Sequence, residues 1–93
     1  MNDPVLVTTE FRGVFFGDLL SYDAAARVAR LKDAQNCIYW SKDVAGVFGL
    51  AASGPDKNCR IGPIIKSLLL ERVTSISECS DKAVNAWREQ PWK

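Results

Sequence analysis

The chain has 93 residues, 47% of them hydrophobic, with three tryptophans and a net charge of +1. That composition suits one small globular core and excludes an extended disordered segment, and no run approaches the roughly 18 apolar residues a membrane helix needs. The sequence holds no histidine, so the usual general base near neutral pH and the commonest metal ligand are both missing.

Pro4 opens an extended run, "VLVTTE". Val, Thr and Leu favour strand there, and proline is tolerated at a strand's first residue. From Phe11 to Tyr22 apolar residues occupy both parities, with Phe11, Phe15 and Leu19 on one and Val14, Phe16, Leu20 and Tyr22 on the other. Successive side chains of a strand point to opposite faces, so this strand is covered on both. One cover is the core of the sheet, and the other is a helix or a second copy of the molecule. Gly13 and Gly17 share the parity of Phe15. Small residues among large ones on a concave face let a strand bend and close a narrow barrel; the alternative is a pair of bulges or turns.

"SYDAAA" turns the chain, and "RVARLKDAQNCIYW" reads as strand, an Asp-Ala-Gln-Asn turn, and strand. Ser41 is suited to cap a helix that Gly54 would stop, with Val44, Val47, Phe48 and Ala51 along one face. Gly46 and Gly49 each cost a helix about 1 kcal/mol, so an irregular loop over 41–54 competes with it. "GPDKNCRIGP", 54–63, is a loop, and "IIKSLLLERVTSISE" returns to strand. Ser80 caps a final helix over 80–90, where Ala83, Val84 and Trp87 make an apolar stripe and Pro91 ends it. The element order predicts a mainly β chain with α (α+β). The expected form is a small antiparallel SH3/Sm-like barrel or rolled sheet with one short internal helix and a C-terminal helix, in a single domain, 1–93.

Cys37, Cys59 and Cys79 are odd in number, far apart and without a C-x-x-C pair. They fit a reduced, cytoplasmic setting and not a zinc site. The N-terminus has no basic stretch followed by an apolar one, so no secretory signal is read. Neither a phosphate-binding Walker loop nor a dinucleotide glycine fingerprint is present. A Ser-His or Cys-His pair is impossible, and acids such as Asp18 and Asp23 are expected in solvated turns. No catalytic residue, metal or cofactor is therefore assigned, and the chain is read as a binding protein, not an enzyme.

Three places are suited to binding. The loop residues Ser53, Lys57, Asn58 and Arg60 offer donors to an anion or nucleotide, with a plain turn as the competing reading. Charge supports interest in this part of the chain. Residues 1–26 hold one base against four acids, a balance of −3, whereas residues 27–66 hold seven bases against three acids, a balance of +4. Tyr39 and Trp40 face opposite ways in a strand, one into the core and one outward. Trp92, beyond the helix stop, folds back or docks on a neighbour. With Phe16 on the second apolar face of its strand, Tyr39, Trp40 and Trp92 are the candidate interface residues.

Two resemblances add to this. "FRGVFFGDLLSYDAAARVARLKDAQ" is similar to the first motif of Sm-like RNA-binding barrels, matching it at Gly17, Leu19 and Asp23, while Arg27 stands where that family has an asparagine of its RNA pocket. This resemblance implies a ring-forming, nucleic-acid-binding barrel. "VTTEFRGVFFG", "NCIYWSKDVAGVFGLAASGP", "CRIGP" and "AWREQPW" together resemble a family of short proteins encoded by tailed phages and prophages. That resemblance implies a phage accessory protein inside the bacterial cell, with no site to carry over. The resulting expectation is a homo-oligomeric, host-defence antagonist that grips a defence protein or sequesters a nucleotide messenger. A nucleic-acid-binding barrel and a minor structural virion component are the competing readings.

Overall fold

Two apolar parities on one strand require two covers, and over the first half of that strand the fold supplies both from a single chain. The computed structural model describes residues 3–10, 13–40 and 46–89. Its strands are β1 (Asp3–Thr9), β2 (Gly13–Asp23), β3 (Val28–Tyr39), β4 (Arg60–Ile61), β5 (Ile65–Leu70) and β6 (Val73–Glu78). Its helices are α1 (Gly46–Ala52) and α2 (Asp81–Glu89). All pairings are antiparallel, in the order β4-β3-β2-β1-β6, with β5 also paired to β3.

The link from β5 to β6 is only Glu71 and Arg72, yet β5 lies on β3 and β6 lies on β1. This short link draws the two margins of the sheet together. Val73 donates its N–H to the Arg27 carbonyl at 3.0 Å, and Glu10 donates to that of Arg72 at 3.0 Å. Arg72 takes a positive φ of 58° at the corner. Among the described residues no ladder joins β5 to β6, so the sheet is rolled and not closed. The closed barrel is thus set aside in favour of the rolled sheet. The single strand expected over 64–78 is two strands, broken where Arg72 leaves extended conformation.

One face of the roll gathers Val5, Val7, Ala29, Leu31, Ala34, Leu70 and Val73, joined by Phe15 and Leu19. The opposite face sets Leu6, Val14 and Phe16 against Leu50, Ala51 and Trp87 of the two helices. Residues 14–17 of β2 are therefore sealed on both sides by the same chain. Leu20 and Tyr22, further along the strand, are exposed. The second cover is therefore a helix of the same chain at one end of the strand, and the apolar side chains at the other end are open. Phe11 lies outside the described residues.

Residues 33–36 are not a turn. β3 runs through them with a register shift against β2 between Phe16 and Asp18. Asp33 has φ 52°, and the extra β3 residue bends the strand without ending it. Gly17 faces this bulge: a Cβ there would lie 3.1 Å from the Lys32 carbonyl oxygen and 3.2 Å from Ala34 Cα. The glycine is needed here for close approach of the two backbones.

α1 ends as expected at Gly54, whose φ is +83° and whose N–H reaches the Gly49 carbonyl at 3.2 Å. The N-cap expected at Ser41, and Val44 with it, lie outside the described residues. Its buried face is Gly49, Leu50 and Ala51, with Val47 against the core. Phe48, expected on that face, points to solvent. α2 is capped by Ser80, whose Oγ accepts the Ala83 N–H at 3.1 Å.

Candidate functional site

The C-terminal half of β3 is zipped to the segment that follows the 54–59 loop. Tyr39 pairs with Arg60, Cys37 with Ile61 and Ala34 with Ile65, and the Gly62 N–H donates to the Asn36 carbonyl at 2.9 Å. Gly62 leaves room for the Asn36 side-chain oxygen, which a Cβ would strike. The result is a ribbon made of 34–40 and 60–65.

Four large apolar side chains on this ribbon are open to solvent: Ile38 (51% exposed), Tyr39 (57%), Ile64 (52%) and Ile65 (45%). A groove of about 340 Å³ is lined by Cys37, Ile38, Tyr39 and Trp40. Isolated exposed apolar residues are ordinary on a protein surface; here four fall within one short ribbon, with Ile38 and Tyr39, neighbours on β3, directed to its two faces. Arg60 and Lys66 are exposed along the same stretch, so the apolar surface has a basic margin. Its chemistry suits burial of apolar side chains beside negative charge.

Cys37 and Cys59 are buried in the helix-side core. Burial, with the neighbouring Cys59 thiol adding to it, pushes the Cys37 thiol from its ordinary 9.0 to about 12. Burial alone pushes Cys79 up to about 11. Nucleophilic cysteines work as thiolates, and these two remain protonated at neutral pH.

The sequence-based candidates divide. Tyr39 is exposed on the ribbon, and Trp40 is half-buried against the core. Phe16 is corrected: it is fully buried, lying under Trp87 with the Arg88 guanidinium 4.6 Å from its ring centroid, so it has no surface to offer a partner. Trp92 lies outside the described residues. Lys57 and Asn58 share one turn, Arg60 lies on β4, and Ser53 is at the end of α1. The turn is organised around Asp56. Its carboxylate accepts the Asn58 N–H at 2.9 Å and the Cys59 thiol at 3.4 Å, and its carbonyl accepts the Cys59 N–H at 3.0 Å. The Asn58 N–H is taken by this carboxylate and the Cys59 N–H by the Asp56 carbonyl, which weakens the loop as an anion cradle.

Sequence reasoning missed Ile38, Ile64 and Ile65. The available signal was adjacency: Ile64 and Ile65 in extended chain cannot both face one core.

Among the described residues, no helix is long and apolar enough to cross a membrane. Residues 2–87 match the family model described as Domain of unknown function (DUF6948). Comparison with curated proteins and with solved structures gives no match.

Proposed function

We propose, for a chain that belongs to the DUF6948 family of unknown function, a non-catalytic role: it binds another protein through the ribbon of β3, β4 and β5. The observation that carries this reading is the number of large apolar side chains exposed on one short ribbon, Ile38, Tyr39, Ile64 and Ile65, of which Ile38 and Tyr39 line a groove. Burying side chains of this size supplies the core of an interface, with the basic margin giving orientation. The missing histidine supports binding over catalysis. The resemblance to short phage and prophage proteins refines the proposal to a phage-encoded protein that acts in the host cytoplasm against a host process such as defence. That refinement rests on the resemblance alone.

Photo-crosslinking tests the reading directly. A photoreactive amino acid is placed at Tyr39 or Ile65, and at exposed Lys82 on α2 as a control, in bacterial cells producing the protein. The expected result is a discrete heavier adduct from positions 39 and 65 and none from 82. Equal labelling from all three positions, or none, would refute the ribbon as a partner surface.

A second reading draws on the exposed Arg30 and Lys32, which share one face of β3: that face holds a nucleic-acid backbone. It requires an RNA or DNA mobility shift that weakens steeply with salt, because counterions are released from the phosphates.

A further inference from the structure

The ribbon leads into an edge strand. β5 pairs with β3 from Ala29 opposite Leu70 to Ala34 opposite Ile65, and among the described residues no strand pairs with its other side. An edge of this kind presents N–H and C=O groups ready to pair with another extended chain. Natural edges are blunted by charge, and Lys66 is the one charged residue in β5. Beside it Ile65 and Leu69 are exposed. Ile65, Ser67 and Leu69 share one parity, so they form a row with a small residue at its centre.

The charge along β5 and the strand beside it is mostly basic, with exposed Glu71 the acid at the end of β5. Residues 57–70 include Lys57, Arg60 and Lys66 and no acid. One strand inward, Lys32 stands opposite Ser67 and Arg30 opposite Leu69, and both are exposed. The acid on that row, Asp18, pairs in register with Lys32 and lies 3.8 Å from Arg88 of α2.

We propose that the β5 edge captures an extended, acidic segment of a protein partner by strand addition. Aliphatic side chains of that segment pack against Ile65 and Leu69 on one face, and its alternate carboxylates meet Lys66 on the other, with Lys32 and Arg30 one strand inward adding positive charge within about a Debye length. Main-chain hydrogen bonds supply affinity in this mode, and alternate side chains supply specificity. The lining favours a peptide over single-stranded nucleic acid, since base stacking uses aromatic platforms and the exposed residues at the edge are aliphatic. The proposal rests on the ribbon being a protein-binding surface and names the segment it takes.

The test is a random-peptide display library panned against the full chain, followed by anisotropy titration of the strongest peptide. The expected enrichment is alternating aliphatic and acidic residues. Leu69→Asp should weaken that peptide on the order of tenfold or more, and Lys66→Glu, at an exposed position, should turn the charge preference from acidic towards basic. Enrichment without acidic bias, or binding indifferent to Lys66→Glu, would overturn strand addition. So would tighter binding of oligothymidine, which assigns the basic row to nucleic acid, or self-association abolished by Leu69→Asp, which assigns the edge to a second copy. Adducts from Tyr39 with no enriched peptide overturn strand addition alone. Absence of both removes the ribbon reading as well.

Discussion

Trp87 lies flat against Phe16, with ring centroids 5.0 Å apart and planes 4° from parallel. The pair joins α2 to the centre of the sheet, because Phe16 sits in register between Leu6 of β1 and Gln35 of β3. Trp87 also donates its indole N–H to the Leu50 carbonyl at 3.0 Å, which ties α1 into the same contact. Both rings are fully buried. Trp87→Ala is expected to cost about 3–5 kcal/mol in urea unfolding, a large part of the stability of a domain this size. Trp87→Phe retains most of the stack and loses the indole hydrogen bond, for about 1–2 kcal/mol. A cost below about 1 kcal/mol for the alanine variant would show that α2 is held elsewhere.

Ser80 serves both helices. Its Oγ accepts the Ala83 N–H at the start of α2 and donates to the Ala52 carbonyl at the end of α1 at 2.6 Å. Its N–H donates to the Ala51 carbonyl at 3.0 Å. An N-cap loss costs about 1 kcal/mol, and Ser80→Ala also leaves the Ala52 carbonyl without its hydroxyl, so about 1–2 kcal/mol is expected. Ser80→Asp separates the two roles. Aspartate is as good an N-cap as serine, yet as a carboxylate it cannot donate to Ala52 and sets negative charge against that carbonyl. Aspartate should therefore be nearly as costly as alanine in thermal or urea unfolding. A neutral aspartate variant would reduce Ser80 to an ordinary cap.

The same contacts show what was legible in the sequence. Strand β2 with two apolar faces, the terminal helix with its serine cap and the stop at Gly54 all follow from local rules of periodicity and capping, and the structure has each of them. What covers the second face of β2 is a tertiary matter. The Trp87 stack answers it for Phe16, and nothing local to 11–22 distinguishes that helix from another copy. The bulge at Asp33 reads as a turn from sequence alone, because Asp and Asn have turn propensities that sheet pairing overrides here. That bulge is held from outside the strand: Arg88 donates to the Asp33 carbonyl at 2.8 Å and to the Gln35 side-chain oxygen at 3.2 Å. The candidate site was half legible. Tyr39 stood out as an aromatic neighbour of Trp40, whereas Ile38, Ile64 and Ile65 look like core residues until the edge position of their ribbon is known.

The buried thiols set how stability depends on pH. Burial raises Cys37 to about 12 and Cys79 to about 11 in the folded chain, while in the unfolded chain both titrate near the ordinary 9.0. Between these limits the folded state holds more protons than the unfolded state, so stability falls as pH rises. The contribution is complete below about pH 9 and is lost progressively towards about pH 11 to 12. Urea unfolding from pH 9 upward should show a steeper decline in the natural chain than in Cys37→Ala. The difference in slope should approach about 1.4 kcal/mol per pH unit for a thiol titrating only in the unfolded state. The variant loses some core packing at every pH, which offsets its curve without tilting it. Lysine and tyrosine titrations affect both proteins, so the difference between the curves isolates Cys37. Parallel curves would mean that the Cys37 thiol is reached by solvent in the folded state and that the floor of the ribbon is open.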